Sequence, residues 1–294
     1  MTTIETTTET TAATPSVTSG TLGVPGARLY YEVRGAGPML VLVGAPMGAT
    51  AFAPAADLLA TDYTVLTTDP RGVGRSPVDD LDQDSTPELR ADDLSRILRH
   101  LNAGPATVFG SSGGAVTALA MLQEHPEQVH RIVAHEPPLE ELLDDREHRR
   151  AATDQMIATY LSDGPAAAWA LFFAEANIEM PEDDGAPAAG PPGAVDGGSM
   201  ERDPQDVADE LHFFTHELRP TAWWQPDLAL LRSRVDRIVV GIGADSTGEV
   251  CDLTSNALAQ ELGIEPSMFP GGHIGFVENP EEFANRLRSV LAGP

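Results

Sequence analysis

Residues 106–114 have the sequence Ala-Thr-Val-Phe-Gly-Ser-Ser-Gly-Gly, and this stretch decides the fold of the chain. Its first four residues are typical of a buried strand, and the small and apolar residues Ala115–Leu122 that follow predict a helix. A Gly-x-Ser-x-Gly motif between a strand and a helix predicts a sharp turn that presents Ser112 as a nucleophile. The glycines on either side leave room for strand and helix to approach closely, and the helix N-terminus favours negative charge developing beside the serine. A flexible Ser/Gly loop is the alternative interpretation.

Short apolar runs alternate with amphipathic helical patterns on both sides of this motif. The pattern of Leu94, Ile97, Leu98 and Leu101 predicts a helix over Pro87–Asn102, and a closing helix is expected after Asn279-Pro280. Continuous apolar strands that alternate with helices indicate an α/β fold with a mostly parallel sheet and helices on both faces. The predicted strands are Ala27–Val33, Met39–Val43, Tyr63–Thr68, Ala106–Phe109, Val129–Ala134, Arg237–Ile242 and Glu265–Phe269.

The alternation stops between about Pro138 and Pro226, so we predict a helical cap at residues 139–226 inserted into a core of residues 20–138 and 227–294. Within the cap, residues 181–198 are rich in Pro, Gly, Ala and Asp and are expected to form a mobile loop. The Thr-rich residues 1–19 are expected to be a disordered tail. Seven aromatic residues of this region can form a cap core or line the site: Trp169, Phe172, Phe173, Phe213, Phe214, Trp223 and Trp224.

The charge of the chain restricts its partners. The 294 residues carry 45 acidic and 18 basic side chains, a formal net charge of −27, which disfavours binding to nucleic acid and to anionic membranes. The single cysteine, Cys251, excludes an internal disulfide and favours a reducing, cytoplasmic location. No signal peptide or membrane span is expected. The sequence does not choose between a monomer and a homodimer.

A late histidine is the candidate general base. His273 lies in the run Pro-Gly-Gly-His-Ile-Gly-Phe at residues 270–276, after a predicted strand and before the last helix. On such a loop it could reach across the strand ends to Ser112 and take its proton. His212 and His216 have the i, i+4 spacing of a metal pair, but no third ligand pattern accompanies them, so we expect no metal and no organic cofactor.

These motifs identify residues 20–294 as similar to the α/β-hydrolase superfamily. The run Asp-Pro-Arg-Gly-Val-Gly-Arg-Ser at residues 69–76 matches the D-x-R-G-x-G-x-S turn of that family, which is usually scaffold. Residues 42–48 occupy the place of the H-G-G-P-G oxyanion loop, with Val43 instead of the histidine. The resemblance implies an eight-stranded sheet, a cap after strand six, and an oxyanion hole made by the backbone amides of Ala45 and Gly113.

The acid of the triad has two candidates. The family usually places an Asp in a G-x-x-D run after strand seven, and here Ser246 occupies that position while Asp245 comes one residue early. A shift of one residue at a strand end tends to point a side chain the opposite way. The other candidate is Glu136, in the run His-Glu-Pro-Pro that follows strand six. This run is similar to that of the zearalenone-lactonase branch, and we favour Glu136.

The sequence therefore predicts a serine hydrolase that cleaves a carboxylic ester or lactone of a hydrophobic small molecule through an acyl-enzyme, with Ser112, His273 and Glu136 as its triad. Three alternatives use the same fold: a cofactor-free dioxygenase, an acyltransferase, and a receptor that binds a small molecule without turnover.

Overall fold

The architecture centres on one sheet. The computed structural model of the protein describes residues 15–178 and 202–293, and in this part of the chain eight strands form a sheet of order β1-β2-β4-β3-β5-β6-β7-β8. The β1–β2 and β2–β4 pairs are antiparallel and the other pairs are parallel. The predicted α/β class with an eight-stranded, mostly parallel sheet is confirmed. The strands are β1 (Val17–Val24), β2 (Ala27–Arg34), β3 (Met39–Val43), β4 (Thr64–Thr68), β5 (Ala106–Ser111), β6 (Val129–His135), β7 (Ile238–Gly243) and β8 (Ser267–Phe269).

Helices cover both faces of the sheet. They are α1 (Ala49–Leu59), α2 (Pro87–His100), α3 (Gly113–Glu124), α4 (Arg146–Asp163), α5 (Pro165–Ala176), α6 (Pro204–His212), α7 (Leu218–Ala222), α8 (Leu228–Arg232), α9 (Val250–Leu262), α10 (Gly275–Glu278) and α11 (Pro280–Ala292). Successive strand residues face opposite layers, because side chains alternate along a strand. Val41 belongs to the core layer that includes α2, α3 and α9, whereas Leu40 and Leu42 belong to the layer that includes α1 and α11. None of the helices in the described ranges combines the length and apolar character needed to cross a membrane.

The segment between β6 and β7 is helical and has its own small core. The part expected to be the cap, residues 139–226, is called the cap below; it contains α4 to α7 and a π-helical turn, Phe213–Glu217, which joins α6 to α7, and α8 follows it. The Trp169 ring stacks on Phe213 at 5.5 Å between centroids, and Phe173 and Phe214 complete the cluster. Trp224 instead packs into the main core, where its indole N–H donates to Glu88 at 2.6 Å. Most aromatic residues of this region therefore belong to one of two cores, whereas Trp223 is half-buried and belongs to neither.

The expected tail of residues 1–19 is wrong at its C-terminal end. Strand β1 begins at Val17, and Val17, Thr18 and Ser19 pair with Arg34, Val33 and Glu32 of β2. Most of β1 is exposed, so its polar sequence gave no sign of burial; backbone pairing with β2 orders it, and its β-branched residues suit such an edge strand. Residues 1–14 and the loop expected at 181–198 lie outside the described residues.

Glycines allow β5, β3 and α3 to touch. A Cβ atom on Gly110 would lie 2.2 Å from the carbonyl oxygen of Gly114, and a Cβ on Gly114 would lie 2.2 Å from the carbonyl oxygen of Val43. Neither position can accept a side chain without moving backbone. This contact fixes where β5 turns into α3, and hence where residue 112 projects.

We expect Gly110→Ala to destabilise the fold by about 3 kcal/mol, because overpacking against a rigid backbone forces strand and helix apart. Gly104→Ala is the matched control, since a Cβ there meets nothing within 4 Å. Chemical denaturation of both variants measures the difference. Equal stability of the two variants would show that the strand and helix can separate at little cost.

Candidate active site

Ser112 lies at the turn between β5 and α3 with φ 56° and ψ −127°, a strained conformation for a residue with a side chain. Its backbone N–H donates to the carbonyl of His135 at 3.0 Å, and its own carbonyl accepts from Ala115 at 2.9 Å. The residue is partly exposed, whereas the preceding Ser111 is fully buried. The turn thus presents Ser112, and not Ser111, to the outside.

Ser111 has a histidine neighbour of its own. Its hydroxyl lies 3.1 Å from Nδ1 of His135, and both side chains are inaccessible to solvent. The His135 ring packs edge-on against Phe269 and Phe283, and burial lowers its pKa to about 4. A histidine that stays neutral in an apolar enclosure can orient Ser111 but offers no route for a substrate, so this pair is structural.

Glu136 follows β6 with a positive φ of 53°, and its backbone N–H donates to the carbonyl of Gly241. The side chain is fully buried. One carboxylate oxygen accepts the backbone N–H of Gly243 at 2.7 Å, and the other lies 2.5 Å from Nδ1 of His273. With both oxygens engaged, the Glu136 carboxylate is fixed at the carboxyl end of the sheet.

The loop that carries His273 reaches this carboxylate because Gly243 has no side chain. A Cβ on Gly243 would lie 2.8 Å from the carbonyl oxygens of Gly271 and Gly272. The backbone N–H of Asp245 donates to Gly271 at 3.1 Å and holds the two loops together. The end of β7 and the loop after β8 therefore bring the imidazole to Glu136.

Glu136 and His273 each stabilise the charged form of the other. Burial alone would raise the pKa of Glu136, but the hydrogen bond and charge of His273 lower it to about 2. Burial alone would lower the pKa of His273, but the neighbouring Cys251 and Glu136 raise it well above its ordinary value. Because burial also raises the pKa of the Cys251 thiol, that group is uncharged near neutral pH, and Glu136 is the anion that stabilises the imidazolium. With Nδ1 engaged, Nε2 is the ring nitrogen left to exchange a proton.

The other candidate acid lies apart from the histidine. Asp245 is exposed on the turn after β7, and its carboxylate has no hydrogen bond or ion pair within residues 15–178 and 202–293. Ser246, at the position where the family usually has its acid, is fully buried beside Glu136 and Glu249. In the described structure its hydroxyl lacks a hydrogen bond of acceptable geometry. Of the two carboxylates considered, only Glu136 contacts His273.

The two residues expected to form the oxyanion hole are neighbours. A Cβ on Gly113 would lie 2.7 Å from the carbonyl oxygen of Ala45 and 3.0 Å from its Cβ. The loop that holds Ala45 leads into α1, whose first N–H, that of Ala49, donates to Asp69 at 2.8 Å. Asp69 is itself held by Arg75 at 2.7 Å. The turn at residues 69–76 therefore acts as scaffold for the loop.

Two features of the cap bear on ligands. His212 is buried with its ring against Gly72, and His216 lies 3.2 Å from Asp84. In the part of the chain that the structure describes, no three His, Cys, Asp or Glu side chains are grouped to hold a metal ion. An open cleft of about 410 Å³ lies where the cap meets the N-terminus of α2, and Trp223 and Arg219 line it together with Pro87. The residues of the Glu136–His273 pair do not line this cleft.

Sequence reasoning did not anticipate that Cys251 would adjoin His273. Cys251 is half-buried in the first turn of α9, and it influences the pKa of His273. No motif surrounds it, so only the packing of α9 against β7 reveals the contact.

Comparison with known proteins finds a matching family model, related sequences and related structures. A sequence model of the alpha/beta hydrolase fold matches residues 37–190. The uncharacterized hydrolase YraK of Bacillus subtilis (strain 168) is 32% identical over 281 residues, covering 94% of this chain and 97% of the relative. Zearalenone hydrolase of Bionectria ochroleuca is 26% identical over 285 residues, covering 91% and 95%. A solved Pseudomonas aeruginosa structure, assigned as an epoxide hydrolase, has a TM-score of 0.66 at 19% identity and covers 96% and 98% of the two chains.

The pKa of His273 provides a direct test of the pair. We expect its imidazole to titrate above 6.5 in the wild-type protein and at a lower pH in Glu136→Gln, because the neutral amide no longer opposes the effect of burial. Asp245→Asn is the matched control and should leave the titration unchanged. The pKa is measured by following the ring proton resonances of His273 with pH. An unchanged pKa in Glu136→Gln would contradict the assignment of the charged neighbour.

Proposed function

Because this chain belongs to the α/β hydrolase fold family, we propose that it hydrolyses a carboxylic ester or lactone with Ser112 as nucleophile, His273 as general base and Glu136 as acid. The observation that carries the proposal is the 2.5 Å contact between the buried Glu136 carboxylate and Nδ1 of His273, at the same sheet edge as the strained Ser112. A base oriented by a buried carboxylate is the arrangement that activates a serine hydroxyl.

The proposed cycle has two halves. Nε2 of His273 takes the Ser112 proton while Oγ attacks the carbonyl carbon, and the amides of Ala45 and Gly113 hold the oxyanion. Breaking the ester C–O bond leaves acyl-Ser112, and His273 gives its proton to the departing alkoxide. A water then attacks the acyl group and loses a proton to His273. Collapse of this second intermediate releases the carboxylic acid and returns the proton to Ser112.

The serine at the turn disfavours epoxide hydrolysis. A carboxylate that opens an epoxide forms an ester, which water can then cleave. A serine oxygen that opened the ring would form an ether, which water does not cleave under enzymatic conditions, so the enzyme would be consumed in one turnover. The chemistry of Ser112 therefore favours an acyl substrate.

The substrate we propose is neutral and has a hydrophobic body. Besides Glu136, Glu249 lies near the site, and Glu140 lies near Cys251; burial raises the pKa of both, that of Glu140 to about 7. The net charge of −27 and the ionised Glu136 disfavour an anionic ester, and the raised pKa values of Glu249 and Glu140 reduce their share of this repulsion. The similarity to zearalenone hydrolase over 285 residues supports a lactone among the candidates.

An acyltransferase would use the same first half and replace the water by another alcohol. A cofactor-free dioxygenase would consume oxygen with a phenolic substrate, and a receptor would bind without turnover. Product analysis, oxygen uptake and steady turnover of a p-nitrophenyl ester separate these functions from a hydrolase. The presence of Ser112 together with a base held by Glu136 supports the hydrolase over the dioxygenase and the receptor, since oxygen chemistry on a phenol needs a base but no serine nucleophile, and simple binding needs neither.

Ser112 should be the residue labelled by a serine-directed organophosphonate. Ser112→Ala should reduce kcat on p-nitrophenyl esters by about 10³-fold or more while the fold is retained, because the triad acts as a unit. Ser111→Ala is the matched control and should still be labelled at Ser112, since Ser111 is inaccessible to the reagent. Peptide mass spectrometry locates the label. Labelling at Ser111, or wild-type turnover in Ser112→Ala, would overturn the proposal.

The two acid candidates make opposite kinetic predictions. Glu136→Gln should lower kcat by about 10²–10⁴-fold, because the amide cannot stabilise the imidazolium, whereas Asp245→Asn should remain within about tenfold of wild type. The remaining activity of Glu136→Gln should extend to lower pH, since the pKa of its base is reduced. Steady-state kinetics across pH measures both effects. A nearly inactive Asp245→Asn with an active Glu136→Gln would assign the acid to Asp245.

A further inference from the structure

Arg90 is a buried cation that the proposed mechanism does not use. It lies on α2, is 2% exposed, and makes all its described hydrogen bonds to uncharged oxygens. Its Nε donates to Thr117 Oγ1 at 2.9 Å, and its Nη2 donates to Thr221 Oγ1 at 3.0 Å. Its Nη1 donates to the carbonyl and hydroxyl oxygens of Ser85. One guanidinium therefore joins α2, the first turns of α3, the cap helix α7 and the loop before α2.

Burying a guanidinium has a high desolvation cost, which indicates that Arg90 has a structural or functional role. Burial lowers the pKa of Arg90, and the acidic side chains Glu217, Glu88 and Asp93 act against that effect. Asp93 is occupied by Arg71 through two hydrogen bonds of 2.7 and 2.8 Å. Arg90 is thus held in place by neutral partners, and its fixed fork of donors determines where those partners sit.

Thr117 connects Arg90 to the backbone of the oxyanion hole. Its Oγ1 accepts from Arg90 and also donates to the carbonyl of Gly113 at 3.0 Å. Because Arg90 occupies the acceptor side of that oxygen, the hydroxyl hydrogen must point to Gly113. The threonine therefore holds the peptide that follows Gly113. Because that peptide shares the Cα of Gly113 with the preceding one, fixing it also limits the rotation of the Ser112–Gly113 peptide, whose N–H is the expected oxyanion donor.

Thr221 approaches Gly113 from the cap. A Cβ on Gly113 would lie 3.3 Å from the Thr221 methyl carbon and 2.7 Å from the carbonyl oxygen of Ala45. Gly113 is thus enclosed by Ala45 on one side and Thr221 on another, with Thr117 bonded to its carbonyl. Arg90 contacts both threonines.

We infer that Arg90 is a positioning residue for the oxyanion amide of Gly113, acting through Thr117 and Thr221. The inference rests on the proposed function, in which that amide stabilises the oxyanion. Misalignment of a donor reduces the stabilisation of the transition state more than that of the ground state, since only the tetrahedral oxygen reaches the hole fully. Loss of the network should therefore lower kcat and leave KM nearly unchanged.

Thr117→Val tests the inference without removing the buried charge. Valine keeps the volume of threonine but can neither accept from Arg90 nor donate to Gly113. We expect kcat on a p-nitrophenyl ester to fall about tenfold and KM to stay within about twofold. Thr67→Val is the matched control: Thr67 is fully buried and accepts from a buried arginine, Arg34, at 3.2 Å, on β4 away from Gly113. Its kcat should remain within about twofold of wild type.

The rate of phosphonate labelling of Ser112 supplies a second readout. The phosphoryl oxygen occupies the same hole, so labelling of Thr117→Val should slow by the same factor as kcat falls. If wild-type Ser112 is labelled but Thr117→Val retains wild-type kcat and labelling rate, the role of Arg90 is overturned and the proposed nucleophile stands. If wild-type Ser112 is not labelled, the proposed function fails and this inference fails with it. Equal losses of kcat in Thr117→Val and Thr67→Val would show a general packing effect and would also overturn it.

Discussion

The contact of α3 with β5 and β3, made possible by Gly110 and Gly114, is the constraint on which the rest of the site depends. It leaves no room for a gradual turn, so residue 112 adopts a positive φ and its side chain leaves the core. The same contact places the first peptides of α3 beside the loop at Ala45. One steric requirement therefore fixes both the position of the candidate nucleophile and that of the amides next to it.

A second residue of the candidate site, Glu136, has a strained backbone. Glu136 also has a positive φ, and it directs its carboxylate along the ends of β6 and β7 to the imidazole. Local strain of this kind persists only where surrounding contacts determine the conformation. Here the amide of Gly243 and the ring of His273 provide those contacts. The strain of Ser112 is held by packing, whereas that of Glu136 is held by charge and hydrogen bonds.

Much of the fold was predictable from the sequence, because apolar strands buried on both faces have an unmistakable pattern. Met39–Val43 matches its prediction, and β6 extends the predicted strand by one residue, His135. Strand β1 was missed altogether, because the predicted strands begin at Ala27 and an exposed edge strand is ordered by backbone pairing and not by its side chains. The Arg90 network was also hidden, because it joins residues 85, 117 and 221, which approach only in the folded chain. The contact of Glu136 with His273 was expected from a short motif, but the support from Gly243 was not.

Because the candidate acid follows β6, the turn after β7 carries no residue of the proposed triad. In the usual arrangement of the family, the segment after β7 must keep its length, because it carries a reacting group. Here Asp245 and Thr247 face solvent, and the carboxylate comes from β6. Under the proposed arrangement, an insertion at the exposed Thr247, beyond the buried Ser246, would lengthen a surface loop without displacing the acid. We expect this tip of the loop to tolerate changes in length, and it offers a site for grafting a peptide in engineering.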